Sequence, residues 1–247
     1  MTDNHVHVGW YTDGYHYPWD IWQEEQEAGI DEIVVSSTST CAELYKLVVR
    51  EMRELIQMGD SRIHPLLWIT PRMMKTWGIR YMLHSKIQWQ GVKMHWEAHH
   101  EWFYNRKLLF KALEIARRLH VPVLFHTGDF KECRAGVFID VCKENDDLVF
   151  VLAHGRPIKE TKNVMERCPN VYADTAFMPA NHVKELANAG YSERILFGTD
   201  VPINLVFDNN LSVSEYIKKQ IEDLRKELTP NQFDILMKNQ IYGLLKL

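Results

Sequence analysis

Two histidines near the start of the sequence have the spacing of a metal-binding pair. His5 and His7 stand in the run Asn4–Gly9, whose apolar and β-branched residues are typical of a strand. Successive side chains of a strand point to opposite faces, so His5, His7 and Asp3 share one face. Two imidazoles one strand step apart can bind the same metal ion as neighbours in its coordination sphere.

Three more polar residues end apolar runs much later in the chain, namely His126, His154 and Asp200. A mixed set of histidine nitrogens and carboxylate oxygens suits Zn²⁺, or Mn²⁺, Fe²⁺ or Ni²⁺, better than Mg²⁺ or Ca²⁺. A lone His-x-His pair often arises by chance, but repeated placement after apolar runs is a stronger indication. The competing interpretation is that each histidine is an ordinary core or surface residue with its hydrogen bonds satisfied.

Eight short runs of apolar and β-branched residues supply the strands that would position these side chains. Several are continuously apolar, as strands must be when helices cover both faces of a parallel sheet. The predicted strands are Asn4–Gly9, Asp31–Ser37, Ile63–Thr70, Gly91–His95, Val121–Gly128, Leu148–Gly155, Asn170–Ala176 and Arg194–Asp200.

The segments between these runs have apolar residues at three- and four-residue spacing, which is typical of amphipathic helices. Gly29 and the cap Thr229-Pro-Asn-Gln mark helix ends. We predict helices over Lys107–Leu119 and Ser214–Leu228, from near Pro18 to Gly29, and from the cap at Thr229 through Leu244.

Alternation of strands and helices predicts parallel strands with right-handed crossovers, which both a doubly wound open sheet and a barrel would satisfy. The first strand is not followed by a glycine-rich phosphate loop, and eight strands close a barrel. We therefore predict a (β/α)8 TIM barrel, as one compact domain over residues 1–247. Active sites of such barrels lie at the carboxyl ends of the strands, where strands one, five, six and eight would bring the polar residues together.

Composition limits the partners of the protein. The net charge is −4 and the basic residues are scattered, so we expect a small-molecule substrate and neither nucleic acid nor a membrane as partner. No apolar run reaches the ~18 residues of a membrane span, and the N-terminus lacks the features of a secretory signal. The four cysteines are widely spaced, which favours free thiols and the cytoplasm. A homodimer is left open.

Five motifs, in order along the chain, resemble the successive strand motifs of the amidohydrolase superfamily. They most resemble its amidohydrolase-related branch (amidohydrolase 2) of metal-dependent hydrolases and decarboxylases, and the ending Asn239-Gln-Ile-Tyr-Gly-Leu-Leu is similar to the closing helix of that branch. The set is specific for the superfamily but does not name a substrate. The motifs are Asp3-Asn-His-Val-His, Gly91-Val-Lys-Met-His, Leu124-Phe-His-Thr-Gly, Leu152-Ala-His-Gly and Leu196-Phe-Gly-Thr-Asp.

The resemblance implies roles for the polar residues. His5, His7 and His126 would be neutral ligands of a divalent metal ion, most simply Zn²⁺. Asp200 would be a further ligand and the general base that accepts a proton from water and passes it to the leaving group. His154 would either complete a second metal site or, as we favour, hydrogen-bond the substrate oxygen that becomes negative.

Lys93 decides how many ions the resemblance implies. In two-metal members of the superfamily a lysine on the fourth strand is carboxylated and bridges the ions, whereas this branch commonly has Lys-x-His there with one ion. Lys93 and His95 share a strand face, so both are candidate substrate contacts at the barrel mouth. We favour one ion, with two expected if Lys93 is carboxylated. The alternative for Lys93 is an ion pair inside the barrel.

Two loop features bear on substrate binding. Arg156 departs from the second glycine that the branch usually has there, and its guanidinium would either bind a substrate carboxylate or lie on the surface. Trp10 begins a loop rich in aromatic residues, as does Trp96, and these loops would either line a ring-binding pocket or pack on themselves. His99 and His100 receive no role.

The function expected from these features is metal-dependent hydrolysis of a small molecule at an amide, ester or lactone carbonyl. The alternative within the same branch is non-oxidative decarboxylation of a small aromatic or enoic acid. A barrel that binds a metal or ligand without catalysis is the alternative from another class.

Overall fold

The computed structural model describes residues 1–207 and 210–240 and contains one sheet whose strands curl into a barrel. Eight strands pair in parallel in chain order, and a short additional strand pairs antiparallel with the first. The strands are β1 (Thr2–Tyr11), β2 (Gly14–His16), β3 (Glu32–Ser37), β4 (Ile63–Trp68), β5 (Gly91–Met94), β6 (Val123–His126), β7 (Phe150–Ala153), β8 (Val171–Asp174) and β9 (Ile195–Leu196).

The segment that follows β9 closes the barrel onto β1. The Asn4 amide donates to the Phe197 carbonyl at 2.9 Å, and the Asp200 amide donates to the His5 carbonyl at 2.7 Å. An open doubly wound sheet would leave these two edges apart, so the prediction of a (β/α)8 barrel is confirmed. Closure of the barrel also brings Asp200, which lies late in the chain, beside His5 and His7 near its start.

Each of the eight predicted runs contains a strand, although most strands are shorter than predicted. The extreme case is β9, which has two residues where Arg194–Asp200 was predicted. Asp200 adopts a φ of 63°, in the left-handed region, which a regular strand does not contain. The predicted extent of this strand was therefore wrong, because the chain turns to bring Asp200 into the barrel mouth.

A hairpin lies in the aromatic segment that we predicted to be a loop. β2 pairs antiparallel with the end of β1, with Trp10 opposite Tyr15. The turn contains Gly14 at a φ of +142°, a conformation that other residues rarely adopt. Trp10 is therefore held on a hairpin that extends above the barrel.

Helices cover the outside of the barrel, as the alternating pattern predicts. They are α1 (Pro18–Glu27), α2 (Tyr45–Gly59), α3 (Pro71–Lys75), α4 (Gly78–Leu83), α5 (Glu101–Tyr104), α6 (Arg106–Leu119), α7 (Ile139–Glu144), α8 (Ile158–Arg167), α9 (Ala180–Leu186), α10 (Asn204–Phe207), α11 (Val213–Glu227) and α12 (Pro230–Lys238). Among the described ranges, no helix combines the length and apolarity that a membrane span requires.

The last described helix begins where predicted and ends earlier. The Thr229 hydroxyl accepts from the Gln232 amide at 3.3 Å, and the Gln232 side chain accepts from the Thr229 amide at 3.1 Å, so the predicted cap is present. The prediction of a helix through Leu244 was wrong, because α12 ends at Lys238. Asn239 is extended and donates to the Ile195 carbonyl at 2.8 Å, which ties this end to β9. The remaining residues of this predicted helix, 241–244, lie outside the described residues.

Two separate apolar clusters show where the site can form. The larger cluster packs helices against the outside of the sheet. The smaller cluster joins buried residues of β3, β4, β6, β7 and β9, and those on strands that are not adjacent can touch only across the barrel interior. The smaller cluster thus fills the amino-terminal part of the barrel. Its members include Val34, Leu66, Leu124, Val151 and Leu196. Towards the carboxyl ends of the strands, polar side chains replace this apolar filling.

Candidate active site

Three side chains from distant parts of the chain meet at the carboxyl end of the barrel. His5 and His7 point inward from β1, and Asp200 follows β9. Asp200 Oδ1 lies 3.0 Å from His5 Nε2 and 2.9 Å from His7 Nε2. All three residues are buried. We call His5, His7 and Asp200 the inner centre.

The outer nitrogens of both imidazoles are bound to acceptors that fix the ring orientations. His5 Nδ1 lies 2.9 Å from Asp174 Oδ2, and His7 Nδ1 lies 3.1 Å from the carbonyl oxygen of Ser36. These acceptors hold a proton on each Nδ1, so Nε2 of each ring is the nitrogen that faces inward as a ligand. Metal-binding histidines in proteins usually have such a partner on the other ring nitrogen.

The donors of the inner centre fit a divalent ion. A tetrahedral zinc ion with bonds of ~2.0–2.2 Å separates its ligands by about 3.4 Å. Asp200 Oδ1 is already slightly closer than that to both nitrogens, and all three donor atoms lie within 4.8 Å of one another. Two nitrogens and one carboxylate oxygen are also the donor types that zinc, manganese and iron accept. The residues present therefore suit a metal ion without large rearrangement.

Lys93 occupies the space between the same donors. Its Nζ lies 2.7 Å from Nε2 of both His5 and His7, and the side chain is buried, 1% exposed. Burial lowers the pKa of Lys93 to about 8, although Asp200 and Asp174 oppose this. A metal ion bound at the inner centre would displace this side chain or hold it neutral.

The protonation of His5 is linked to that of Lys93. Burial and the Lys93 ammonium oppose protonation of His5, but Asp200 and Asp174 outweigh them and raise its pKa to about 9. The contact between Lys93 Nζ and His5 Nε2 holds a single proton, so one of the two groups is neutral. Metal ligands must be deprotonated, so an ion at the inner centre would release this proton. Burial, with Lys93 nearby, lowers the pKa of His7 to about 4, which leaves its imidazole neutral.

His126 lies in a layer outside the inner centre. Its Nδ1 is 3.1 Å from His154 Nε2, and its Nε2 is 3.2 Å from Glu97 Oε2. Its ring also stacks on His95 at a centroid distance of 3.6 Å. The structure therefore brings together three of the four predicted ligands and turns the nitrogens of His126 towards other partners. That His126 joins the same ion stays a prediction.

His154 stands between His126 and Asp200. Its Nδ1 lies 3.1 Å from the Ala176 carbonyl oxygen, and its Nε2 lies 4.0 Å from Asp200 Oδ2. Burial lowers the pKa of His154 well below its usual range, and burial also lowers that of His126. Because the carbonyl can only accept, the neutral His154 ring keeps its proton on Nδ1 and presents a lone pair at Nε2.

Both residues with predicted catalytic roles have unusual backbone conformations. His154 has a φ of 68° and Asp200 a φ of 63°, in the left-handed region where non-glycine residues cost about 1–3 kcal/mol. Hydrogen bonds hold them there, since the His154 amide donates to Asp174 Oδ1 at 2.8 Å and the Asp200 amide donates to the His5 carbonyl. Strain of this kind is concentrated at functional sites.

A cavity of about 770 Å³ opens above the inner centre. His7, Lys93 and Asp200 lie at its polar floor, and the surrounding wall contains aromatic rings, including those of Trp68 and Phe177. This volume and mixture of apolar walls with a few polar groups are typical of small-molecule sites.

The cavity includes two of the three other predicted substrate contacts. Arg156 and His95 line it, and Arg156 Nε is buried without a hydrogen-bond partner among the described residues. Trp10 is not in the lining. It is 49% exposed and packs against Tyr15 of the hairpin at 5.4 Å. Trp10 pairs with β2, and that it contacts the substrate stays a prediction.

Asp174 is a site residue that sequence reasoning missed. It ends β8 and binds His5 Nδ1, the His154 amide and the Ala176 amide. Its position at the end of a predicted strand was the same feature that identified the other residues. Glu97 was also missed, and its place in an irregular loop offered no comparable indication.

Replacing Asp174 with asparagine is expected to weaken metal binding at the inner centre by about 10–100-fold. The amide keeps one acceptor for the backbone amides but removes the charge that orients and polarises His5. Competition with a chelator measures the affinity. Asp147→Asn is the control, because Asp147 pairs with Arg117 on the outer surface. Equal affinities for the two variants would contradict a role for Asp174 behind the ligand.

Comparisons with known proteins identify the family. A family model described as amidohydrolase matches residues 83–218, more than half of the chain. The chain therefore belongs to the amidohydrolase family, whose superfamily consists of metal-dependent enzymes, as its motifs predict. No curated protein sequence matches the chain.

Solved structures similar to this chain are known at low sequence identity. A probable 2-pyrone-4,6-dicarboxylic acid hydrolase from Acinetobacter baumannii, with citric acid bound, is 12% identical over 98% of this chain and 99% of that one, with a TM-score of 0.70. A 5-carboxyvanillate decarboxylase from Sphingomonas paucimobilis is 10% identical over 100% and 99%, at 0.68. A 5-carboxyvanillate decarboxylase from Novosphingobium aromaticivorans, complexed with manganese and a nitrobenzoic acid, is 10% identical over 92% and 79%, at 0.65. Structures similar to this chain therefore include a probable hydrolase and a decarboxylase with bound manganese.

Proposed function

We propose that the protein is a metal-dependent hydrolase that acts on a small carboxylated molecule at an amide, ester or lactone carbonyl. The observation that carries the proposal is the inner centre, where two imidazole nitrogens and the Asp200 carboxylate converge at the floor of a cavity of small-molecule size. His5, His7 and Asp200 would hold the ion, for which Zn²⁺ is our first choice, with His126 as the proposed further ligand. When bound, the ion would lower the pKa of a coordinated water to about 7 and polarise a carbonyl oxygen.

Asp200 is suited to accept the proton of the attacking water. Burial opposes its ionisation, but His5 and His7 outweigh this and hold its pKa well below the usual range, so it is a carboxylate at neutral pH. Its second oxygen, Oδ2, faces His154 Nε2 at 4.0 Å. A proton accepted by Asp200 could therefore pass to the lone pair of His154, which would then donate to the leaving group.

The role of His154 follows from its tautomer. With its proton held on Nδ1 by the Ala176 carbonyl, its Nε2 is an acceptor in the resting protein. It would hydrogen-bond a developing negative oxygen only after it has taken up a proton. We therefore propose proton transfer as its first role and stabilisation of the oxyanion as its second.

Arg156 supports a carboxylated substrate. Its guanidinium lines the cavity, its nearest carboxylate oxygen on Asp129 is 3.9 Å away, and its Nε has no partner among the described residues. A buried N–H without a partner costs about 1–3 kcal/mol, which a ligand oxygen would recover. A carboxylate matches the guanidinium because it can accept two parallel hydrogen bonds.

Decarboxylation is the second candidate, and the aromatic part of the cavity favours it. Trp68 and Phe177 suit a flat ring, and two of the similar structures are decarboxylases of an aromatic acid. In this reaction the ion would orient the departing carboxylate, while Asp200 or His154 delivers a proton to carbon.

Product analysis separates these candidates. The metal-loaded protein is incubated with one panel of carboxylated lactones, esters and amides and another of aromatic and enoic acids. Hydrolysis is expected, with acid release from the first panel, no carbon dioxide from the second, and preference for each carboxylate over its carboxamide analogue. Carbon dioxide release with inert lactones and esters would replace the hydrolase by the decarboxylase. Failure with both panels at full metal loading would instead favour a barrel that only binds.

A further inference from the structure

The hairpin that follows the first strand is joined to α2 through a buried carboxylate that the proposed chemistry does not use. Glu51 of α2 is fully buried, and each of its two oxygens accepts from a serine hydroxyl at the end of β3 or just after it. Ser37 Oγ donates to Glu51 Oε2 at 2.5 Å, and Ser39 Oγ donates to Glu51 Oε1 at 2.8 Å. We call Glu51, Ser37 and Ser39 the anchor.

Each serine of the anchor also accepts a hydrogen bond from a backbone amide. The Trp10 amide donates to Ser39 Oγ at 3.0 Å, and the Ser39 amide donates to Ser37 Oγ at 3.1 Å. A hydroxyl has only one proton to donate, and both serines direct it to Glu51. Two relays of hydrogen bonds therefore end on one carboxylate, and one of them begins on the hairpin.

The backbone of the hairpin lies directly on the anchor. Pairing of β1 with β3 ends at Val8 and Ser37, after which Gly9 turns the chain at a φ of +97°. A β-carbon on Gly9 would lie 3.0 Å or less from a side-chain oxygen of each anchor residue. Glycine supplies both the positive φ and the close approach. The direction in which the chain leaves the barrel at this point is thus set by the anchor.

Tyr11 is the residue that this arrangement brings to the cavity. It ends β1, two residues after the turn at Gly9, and its half-buried side chain lines the cavity. Burial, and after it the Asp200 carboxylate, raises the pKa of the phenol, so the hydroxyl keeps its proton at neutral pH and can donate it. Within the described part of the chain the Tyr11 hydroxyl has no hydrogen-bond partner, so a ligand can take that place.

The order of the strands separates Tyr11 from Arg156. The eight parallel strands follow one another around the barrel from β1 to β9, so β8 and β9 stand between β7 and β1 on the shorter path around the ring. Tyr11 ends β1 and Arg156 follows β7, and both line the cavity. A substrate whose carboxylate is bound by Arg156 therefore presents a different oxygen to Tyr11.

We propose that Tyr11 binds the substrate by donating a hydrogen bond to a second oxygen, and that Glu51 positions Tyr11 through the anchor. This role rests on the proposed function, because it concerns the substrate of the same cavity. The Glu97 and Asp13 carboxylates also act on the Tyr11 phenol, so an uncharged oxygen suits this position better than a second carboxylate. The preferred substrate thus has a carboxylate for Arg156 and a separate carbonyl or hydroxyl oxygen for Tyr11.

Steady-state kinetics of the metal-loaded full chain, with the best substrate from the product panels, tests both parts. Tyr11→Phe should raise KM about tenfold and leave kcat within about twofold, which is the pattern of a lost binding contact. Glu51→Gln should also raise KM, because an amide oxygen accepts from only one of the two serines and the hairpin is released. The double variant should be no worse than Tyr11→Phe, since both changes remove the same contact. Glu51 with a merely structural role would instead lower kcat per total protein and leave KM unchanged.

Hydrogen exchange follows the hairpin without a substrate. The backbone amides of residues 9–16 should exchange about fivefold faster or more in Glu51→Gln, because a relay that holds them is broken. They should exchange at the wild-type rate in Tyr11→Phe. If Glu51→Gln does not fold, Ser39→Ala takes its place in both measurements, since it removes the hydroxyl that binds the Trp10 amide.

Two matched variants control for position and chemistry. Glu54→Gln changes the same kind of residue one turn further along α2, where the side chain is exposed. Tyr17→Phe removes the hydroxyl of a tyrosine that follows the hairpin and is 60% exposed. Both residues lie outside the cavity lining, so both variants should keep the wild-type KM and the wild-type exchange rate.

The outcomes separate this role from the proposed function. An unchanged KM in Tyr11→Phe, or effects of the two changes that multiply in the double variant, would overturn it and leave the hydrolase standing. Unchanged hydrogen exchange in Glu51→Gln would overturn the anchor. Wild-type protein that turns over neither panel would overturn the proposed function instead. The comparison is then made on the Kd of the panel acid that binds most tightly, measured by calorimetry, and equal values for wild type and Tyr11→Phe would remove Tyr11 from the site.

Discussion

Asp200→Asn is expected to lower kcat by about 10²–10⁴-fold, the usual contribution of a general base. Asparagine has the same shape and still offers an oxygen to His5 and His7, which contact Asp200 Oδ1 at 3.0 and 2.9 Å. It cannot accept the proton of the attacking water. The measurement is kcat with the best substrate from the product panels, at a metal concentration that restores full loading.

The control for Asp200→Asn is Asp129→Asn, a second carboxylate in the cavity lining that does not touch the inner centre. Asp129→Asn should change kcat by less than about tenfold, since it lacks a part in proton transfer. Metal content must be measured for both variants, because Asp200 is also a proposed ligand. A fully loaded Asp200→Asn protein with nearly unchanged kcat would remove Asp200 from the chemistry.

His5→Ala combined with His7→Ala is expected to abolish activity and metal binding at the inner centre. Loss of one partner behind a ligand already costs about 10–100-fold in affinity, so deletion of two ligands should cost more than about 10³-fold. Elemental analysis after purification without chelators measures the content, and kcat should fall to the background rate. Lys93 loses both of its histidine contacts in this variant, so circular dichroism must establish that the barrel is folded.

A matched pair of histidine replacements shows whether these effects are specific. His84→Ala plus His182→Ala removes the same number of imidazoles from positions outside the cavity lining. This variant should keep its metal content and its kcat. If the His5 and His7 double variant stayed folded, kept its metal and remained active, the inner centre could not be the site of the reaction.

The local spacing of apolar and polar residues predicted the strands and helices that position this site. The step of two between His5 and His7 places both on one face of β1, whatever the rest of the chain does. Eight apolar runs separated by helical segments predicted a parallel sheet, and their number favoured its closure into a barrel with the polar residues after these runs at its carboxyl end. Such properties depend on residues close in sequence, so they can be read directly from it.

The roles of individual side chains depended on contacts between distant residues. Asp200 reaches His5 only because residues 197–201 pair with β1, and His126 turns to Glu97 and His154 although it ends a strand like the others. Lys93 was predicted to face inward, but its place between two imidazoles follows from the closure of the barrel.

The sequence by itself determined the barrel, the family and the residues at its mouth. Only the tertiary structure separated the inner centre from the layer that contains His126, placed Asp174 behind His5 and left Trp10 outside the cavity lining. The physical reason is that strand parity sets the face on which a side chain lies. Its neighbours on that face are set by strand register, loop path and rotamer, each of which is fixed by packing across the barrel.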